Sequence, residues 1–256
     1  MSLMRGMPEW IKQALAWIVV VGAIVATWII LDLTGAVSSD RLPPLTDVIS
    51  AAGREAEDLP IAVLATAGRV AAGFVIGAVV GVFIALLSHL STVASELLAP
   101  PIHLLRSFPP FVVAPFIILW FGLSVQAPIV FAATVTAFVV VIDSGEALRV
   151  VRREYPQAAQ ALGAGHVSRA MLIDTPAIIP AIAGGLRVAL VGAVNAVLLY
   201  EMLTGTEGVG DLLIRGYQLF RIDTLFFAVI VAILLSLLLD RILVLLLNRA
   251  THWSRG

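Results

Sequence analysis

The chain has 256 residues, of which 60% are apolar and only 13% charged, and its formal net charge is −1. A soluble globular domain carries about 45–50% apolar and about 25% charged residues, so a protein built around a large soluble core is excluded, and the near-neutral charge gives nucleic acid no electrostatic reason to bind. There is no cysteine, which removes disulfides, thiolate metal sites and Cys nucleophiles.

The apolar residues are concentrated. Residues 14–31 carry no charge, and neither do 70–88, 107–142 and 224–239. About 20 mainly apolar residues carry a helix across a bilayer. Arg5 and Lys12 precede the first run as they would in a signal peptide, but its 18 residues exceed the roughly 7–15 of a signal core. Asp32 and Leu33 stand where a small-x-small cleavage site belongs. The run is read as a retained first span over 14–33.

An outer segment, 34–66, contains Pro43, Pro44 and the charged patch Arg54, Glu55, Glu57 and Asp58. The second span is expected over 68–88. Its Gly73, Gly77 and Gly81 repeat every four residues, which gives a small face for close helix packing. The 36 uncharged residues 107–142, at about 1.5 Å each, would be near twice the hydrocarbon thickness as one helix. Gly122 to Pro128 is the natural break, giving a third span over 102–121 and a fourth over 127–145.

Pro100, Pro101, Pro109, Pro110 and Pro115 crowd the start of the third span. Each removes a backbone donor and disfavours regular helix at its neighbour. Irregular backbone at membrane depth survives only when buried in protein or lining a wet cavity. Phe108, Pro109 and Pro110 are therefore pathway candidates on a kinked helix; the other reading is a kink that serves packing alone.

The stretch 146–183 comes next, then a fifth span over 184–203. A glycine-rich segment, 204–222, holds Gly205, Gly208, Gly210 and Gly216, and a sixth span covers 223–247. Six spans put both termini on one side. Basic residues favour the cytoplasmic side, and with both termini there, eleven lie at or near that face and five, Arg41, Arg54, Arg69, Arg215 and Arg221, at the other. The expected class is therefore an all-α integral membrane protein of six transmembrane helices, with 146–183 as its largest cytoplasmic segment.

Few polar groups accompany the spans. Asp143 and Asp240 fall at the inner ends of spans four and six, with Arg241 beside Asp240. Asn195 is either an interhelical hydrogen-bonding group or a contact for solute in a pathway. Glu201 falls near the outer interface and has the wrong sign to hold an anion. The only lysine, Lys12, has no Gly-x4-Gly-Lys-Ser/Thr context, so the chain has no P-loop of its own. His89, His103, His166 and His252 lack metal spacing, no GxSxG occurs, and no chemical active site is expected.

Within 146–183 the sequence reads Gln157-Ala158-Ala159-Gln160-Ala161-Leu162-Gly163, nine further residues, then Ile173-Asp174-Thr175-Pro176. Pro156 suits a first helical turn, the alanines and Leu162 favour helix, Gly163 and Gly165 can end it, and Pro176 prevents easy continuation of the next segment. A short helix lying along the membrane results, with an Ala-rich face open to close approach. The pattern resembles the EAA loop of permease subunits in bacterial ABC importers of the type I fold. Gln157 stands where Glu is usual and Thr175 where Leu is usual. Other pieces are similar to the nitrate, sulfonate and taurine subfamily: Thr66 to Phe74, Leu104 to Pro110, Pro115 to Gly122, Glu201-Met202-Leu203 and Gly208-Val209-Gly210.

The resemblance implies a type I transmembrane domain over 61–247, preceded by an N-terminal segment, 1–60, and followed by a tail, 248–256. It implies that Gln157, Ala158, Ala159, Gly163, Ile173 and Pro176 form a coupling helix for an ABC ATPase. Two copies of that ATPase would hold ATP and Mg, with no cofactor on this chain. A substrate-binding protein would dock outside, a second permease copy would complete a homodimer in the lipid of the bacterial inner membrane, and the solute would be a small anion such as a sulfonate, taurine or nitrate. The rival readings are an ion-gradient-driven secondary transporter and a non-transporting membrane scaffold.

Overall fold

The computed structural model describes residues 9–90, 92–107, 109–154 and 175–250, and among these all regular structure is helical. The helices in chain order are α1 (Glu9–Thr34), α2 (Leu45–Arg54), α3 (Leu59–Leu90), α4 (Thr92–Ser107), α5 (Ala114–Phe121), α6 (Gln126–Glu154), α7 (Thr175–Thr204), α8 (Val209–Gln218) and α9 (Ile222–Ala250), with a 3-10 turn at Pro110–Val113. Five of them, α1, α3, α6, α7 and α9, are long and apolar enough to cross a membrane, and Phe111–Phe121 is a shorter apolar helical stretch.

The core is a layer of three long helices with α6 between α3 and α7. Lipid is as apolar as leucine, so helices in a membrane gain most from close van der Waals fit. Small residues supply that fit here. A Cβ on Gly73 would meet the Ala132 Cβ, one on Gly77 would collide with the Ala133 carbonyl and the Thr136 side chain, and one on Gly81 would lie 2.8 Å from the Val140 Cβ. Phe131, Ala132 and Val135 of α6 join Val70 of α3 and Leu190, Ala193, Val194, Ala196 and Val197 of α7 in one buried cluster. The four-residue glycine repeat thus has the packing role its spacing suggests.

The outer helices are far barer. The apolar window of α1 is 0% buried and that of α9 only 6%. Trp28 ties them together: its ring stands edge-on to Phe226 at 5.0 Å between centroids, and its Nε1 donates to the Pro43 carbonyl at 2.9 Å.

One end of the bundle, here the upper end, collects α2, α8 and the turns that join the long helices. Gly122 (φ 58) closes α5 and Gly205 (φ 65) closes α7, a left-handed conformation that glycine adopts without steric cost. Gly122 N donates to Ile118 O and Gly205 N to Glu201 O, so the helix ends keep bonded carbonyls. The Tyr200 hydroxyl donates to Gly122 O at 2.7 Å and joins the two turns.

One expectation changes. The third span is not a single kinked helix over 102–121. Its chain runs through α4, with Pro100 and Pro101 inside it, becomes extended at Pro109 (ψ 121), and resumes as the 3-10 turn and α5. Two successive prolines withhold the donors that a continuous helix needs at that point. The outer segments, in turn, are partly helical. They contain α2, which buries Val48 and Ala51, and α8, which buries Val209, Gly210, Leu212 and Gly216.

Candidate functional site

Asn195 lies close to the middle of the 23-residue apolar stretch Ile182–Thr204 of α7, and its side chain is exposed. It lines a concavity of about 200 Å³ together with Phe111, Phe131, Val135, Gly192, Ala196 and Leu199. Asn195 is the one polar side chain of that lining. The wall is therefore a greasy hollow with a single neutral amide that donates and accepts. An amide left bare in hydrocarbon would cost about 4–8 kcal/mol by transfer to an alkane-like medium, so this face calls for water, solute or another protein surface.

The break at Pro109 presents Phe111 to that hollow. Pro109 is exposed, the 3-10 turn begins at Pro110, and Phe111, 62% exposed, lines the hollow together with residues of α6 and α7. The structure thus brings the residue after the Pro109-Pro110 pair together with Asn195. Phe108 lies outside the described residues. A larger cavity of about 530 Å³ lies between α3, α4 and α6. The Thr134 hydroxyl in its wall donates to the Val130 carbonyl, and the rest of the lining is apolar.

At the upper end, Glu201 is fully buried. Its Oε1 accepts from Arg69 Nη1 at 2.6 Å, Thr66 Oγ1 lies 3.0 and 2.9 Å from its two oxygens, and Oε2 accepts from Gly210 N at 2.9 Å. Arg69 Nη1 also donates to Glu207 O at 2.6 Å, and Val209 N donates to Thr66 Oγ1 at 2.9 Å. On α8, burial raises the Asp211 carboxyl above its ordinary range, against the pull of Arg215 and with a smaller push from Glu207. Toward the lower end, Asp240 pairs in bidentate fashion with Arg187, both bonds at 2.9 Å. Sequence reading offered only the adjacent Arg241.

Of the residues expected to form the coupling helix, Gln157, Ala158, Ala159, Gly163 and Ile173 lie outside the described residues, and Pro176 falls within α7. The Glu201 network was missed as a network: Thr66, Arg69, Glu201, Gly208 and Gly210 appear as separate fragments in the sequence. The available signal was a carboxylate near a span end, which needs a partner, and Arg69 at the corresponding end of the second span. Among the described residues no group of His, Asp and Glu is placed to hold a metal.

Residues 77–252, more than half of the chain, match the family described as binding-protein-dependent transport system inner membrane component. A putative aliphatic sulfonates transport permease protein of Escherichia coli strain K12 is 28% identical over 91% of this chain and 89% of its own length. The bicarbonate transport system permease protein of Synechococcus elongatus is 28% identical over 70% of this chain and 64% of its own. The riboflavin transport system permease protein of Chloroflexus aurantiacus is 29% identical over 62% and 59%.

Proposed function

This chain belongs to the family of binding-protein-dependent transport system inner membrane components, a multi-pass permease of the type I ABC importer kind, and from that premise we propose that it carries a small anion such as a sulfonate, taurine or nitrate along the face that displays Asn195. The observation that carries the reading is this exposed amide in mid-span, beside a chain break that a membrane tolerates only against protein or water. An uncharged wall with one amide makes weak, reversible contacts with a passing solute. The sulfonate and bicarbonate permeases among the relatives support an anion; the riboflavin permease shows how far solutes vary among similar chains.

In this reading a second copy of the chain faces the first across the path, and the bare α1 and α9 meet lipid or that copy. The upper end is outside, where a binding protein delivers the solute. Both termini and residues 155–174 are cytoplasmic, as the distribution of arginine favours. Two ATPase subunits, holding ATP and Mg, dock on the segment from Gln157 to Pro176 and drive the cycle. A secondary transporter would use an ionisable group open to its path. Glu201 is the fully buried carboxylate among the described residues, but it is neutralised by Arg69 and enclosed by the turn above it.

Because the chain has no cysteine, a single engineered thiol tests the path directly. Asn195→Cys in native membranes should react with a membrane-impermeant, charged methanethiosulfonate reagent, while Ile233→Cys, on the exposed side of α9, should not. An unreactive Asn195→Cys in every state of the transporter, with and without ATP, would remove this face from the path.

A further inference from the structure

The Glu201 network does more than neutralise a charge. Most of its bonds beyond the two long helices end on the backbone of one short turn: Arg69 holds Glu207 O, Thr66 holds Val209 N, and Glu201 holds Gly210 N. The turn is also shaped around the carboxylate. A Cβ on Gly208 would run into the Glu201 carboxylate itself, and one on Gly210 would collide with the Leu198 carbonyl and lie 2.7 Å from the Glu201 Cβ. This turn leads directly into α8, which packs on α7 and α9. The start of α8, at Val209 and Gly210, thus takes its position from the Thr66, Arg69 and Glu201 side chains on α3 and α7.

A buried ion pair is a poor choice for stability alone. Apolar residues of similar volume often do as well, whereas loss of one partner leaves an uncompensated charge at considerable cost. The same property favours two states over a continuum. With the turn seated, the carboxylate is dry and its acceptors are used; with the turn lifted, water must replace Gly210 N and solvate Glu201 and Arg69. Partly open arrangements leave the charges dry and under-bonded, and are penalised.

We propose that Glu201, with Arg69 and Thr66, is a positioning residue that clamps the 205–210 turn and α8 onto the upper ends of α3 and α7, the helix that also carries Asn195, and that releasing this clamp is part of opening the path outward. The proposal rests on the reading of the Asn195 face as the solute path. The clamp closes the upper end when seated and admits water when released. Its glycines supply the close fit, and its charges make the seated state all-or-none.

The test uses the assembled transporter in native membranes. Single variants strand a charge and can fail to fold, so the informative variant is the double substitution Glu201→Leu with Arg69→Met, which removes both charges together. Spin labels on cysteines placed at Ile61 and Tyr217, both exposed on α3 and α8, report the seating of α8 without reference to the path. The double variant should reach the membrane at wild-type level, broaden the label-to-label distance distribution, and raise the rate at which an external methanethiosulfonate reagent modifies Asn195→Cys by about tenfold, within the ordinary range of coupling between sites. Glu201→Asp with Arg69 intact should recover part of the wild-type behaviour. An unchanged distance distribution and an unchanged modification rate would reduce Glu201 to a space-filling role. If Asn195→Cys is unreactive in every background while α8 does loosen, the path assignment fails and the clamp stands as a structural contact only.

Discussion

At the scale of single residues, the tightest constraints sit where backbone passes a polar group. Gly208 has no room for a methyl group beside the Glu201 carboxylate. Gly208→Ala should therefore cost about 1–3 kcal/mol, the usual range for overpacking, seen as a lower midpoint of thermal unfolding of the purified chain; an unchanged midpoint would mean that the turn moves freely. Asp240→Asn should weaken the join between α7 and α9 by about 1 kcal/mol, because Arg187 loses a charge-assisted pair whose partially exposed setting limits its worth; Arg187→Ala should match it within error if the pair acts as one unit. Much of this was open to reading in the sequence only as isolated letters. Asn195 stood out because an amide in an apolar span is conspicuous, and its two readings were separated only when the fold left it on an exposed hollow. Glu201 found its partner 132 residues away, and no local pattern encodes that distance. Asp240 showed the reverse error: the neighbour in sequence, Arg241, was the obvious partner, but the bidentate bonds come from Arg187 across to the next helix.

At the scale of elements, length and hydropathy were enough for the long helices. Five apolar runs reappear as α1, α3, α6, α7 and α9, extended by several residues at their ends. The short helices α2 and α8 were not expected, since they are amphipathic, bury only one face and include glycine at Gly53, Gly210 and Gly216, a residue that reads as loop. The third crossing was legible as irregular but not as broken into pieces. Its break has a direct consequence. Pro109→Ala with Pro110→Ala restores two backbone donors and should let helix extend toward α5, drawing Phe111 away from Asn195. Solute uptake should then fall clearly, by up to the ~100-fold that a 1 Å misplacement of a positioning group can cost, with the protein still in the membrane. Near-normal uptake would show that the break serves packing alone. Gly77→Leu should separate α3 from α6, since its side chain would enter the Ala133 carbonyl and the Thr136 side chain. The expected result is loss of folded protein from the membrane rather than a selective transport defect.

At the scale of the whole molecule, the described residues form a tight three-helix layer with two bare helices beside it and a capped upper end. The layer supplies stiffness, the bare helices leave surface for lipid or a second copy, and the exposed Asn195 amide on α7 is the feature that a self-contained bundle would not leave open. The family match over residues 77–252 agrees with that incompleteness, because a component of a transport system is built to be completed by others. The sequence has no P-loop, its single lysine being Lys12, and in the proposed reading energy enters through a separate ATPase. The segment from Gln157 to Pro176 is where the entry of that energy is proposed. The most direct test is ATP hydrolysis by the complex recovered from native membranes on the tagged chain, compared with the same complex carrying Gly163→Arg. Vanadate-sensitive hydrolysis is expected with the wild-type chain and its loss in the variant, with both chains present in the membrane at equal level. A wild-type complex without hydrolysis, or a Gly163→Arg complex that hydrolyses ATP as well as the wild type, would contradict the proposed coupling.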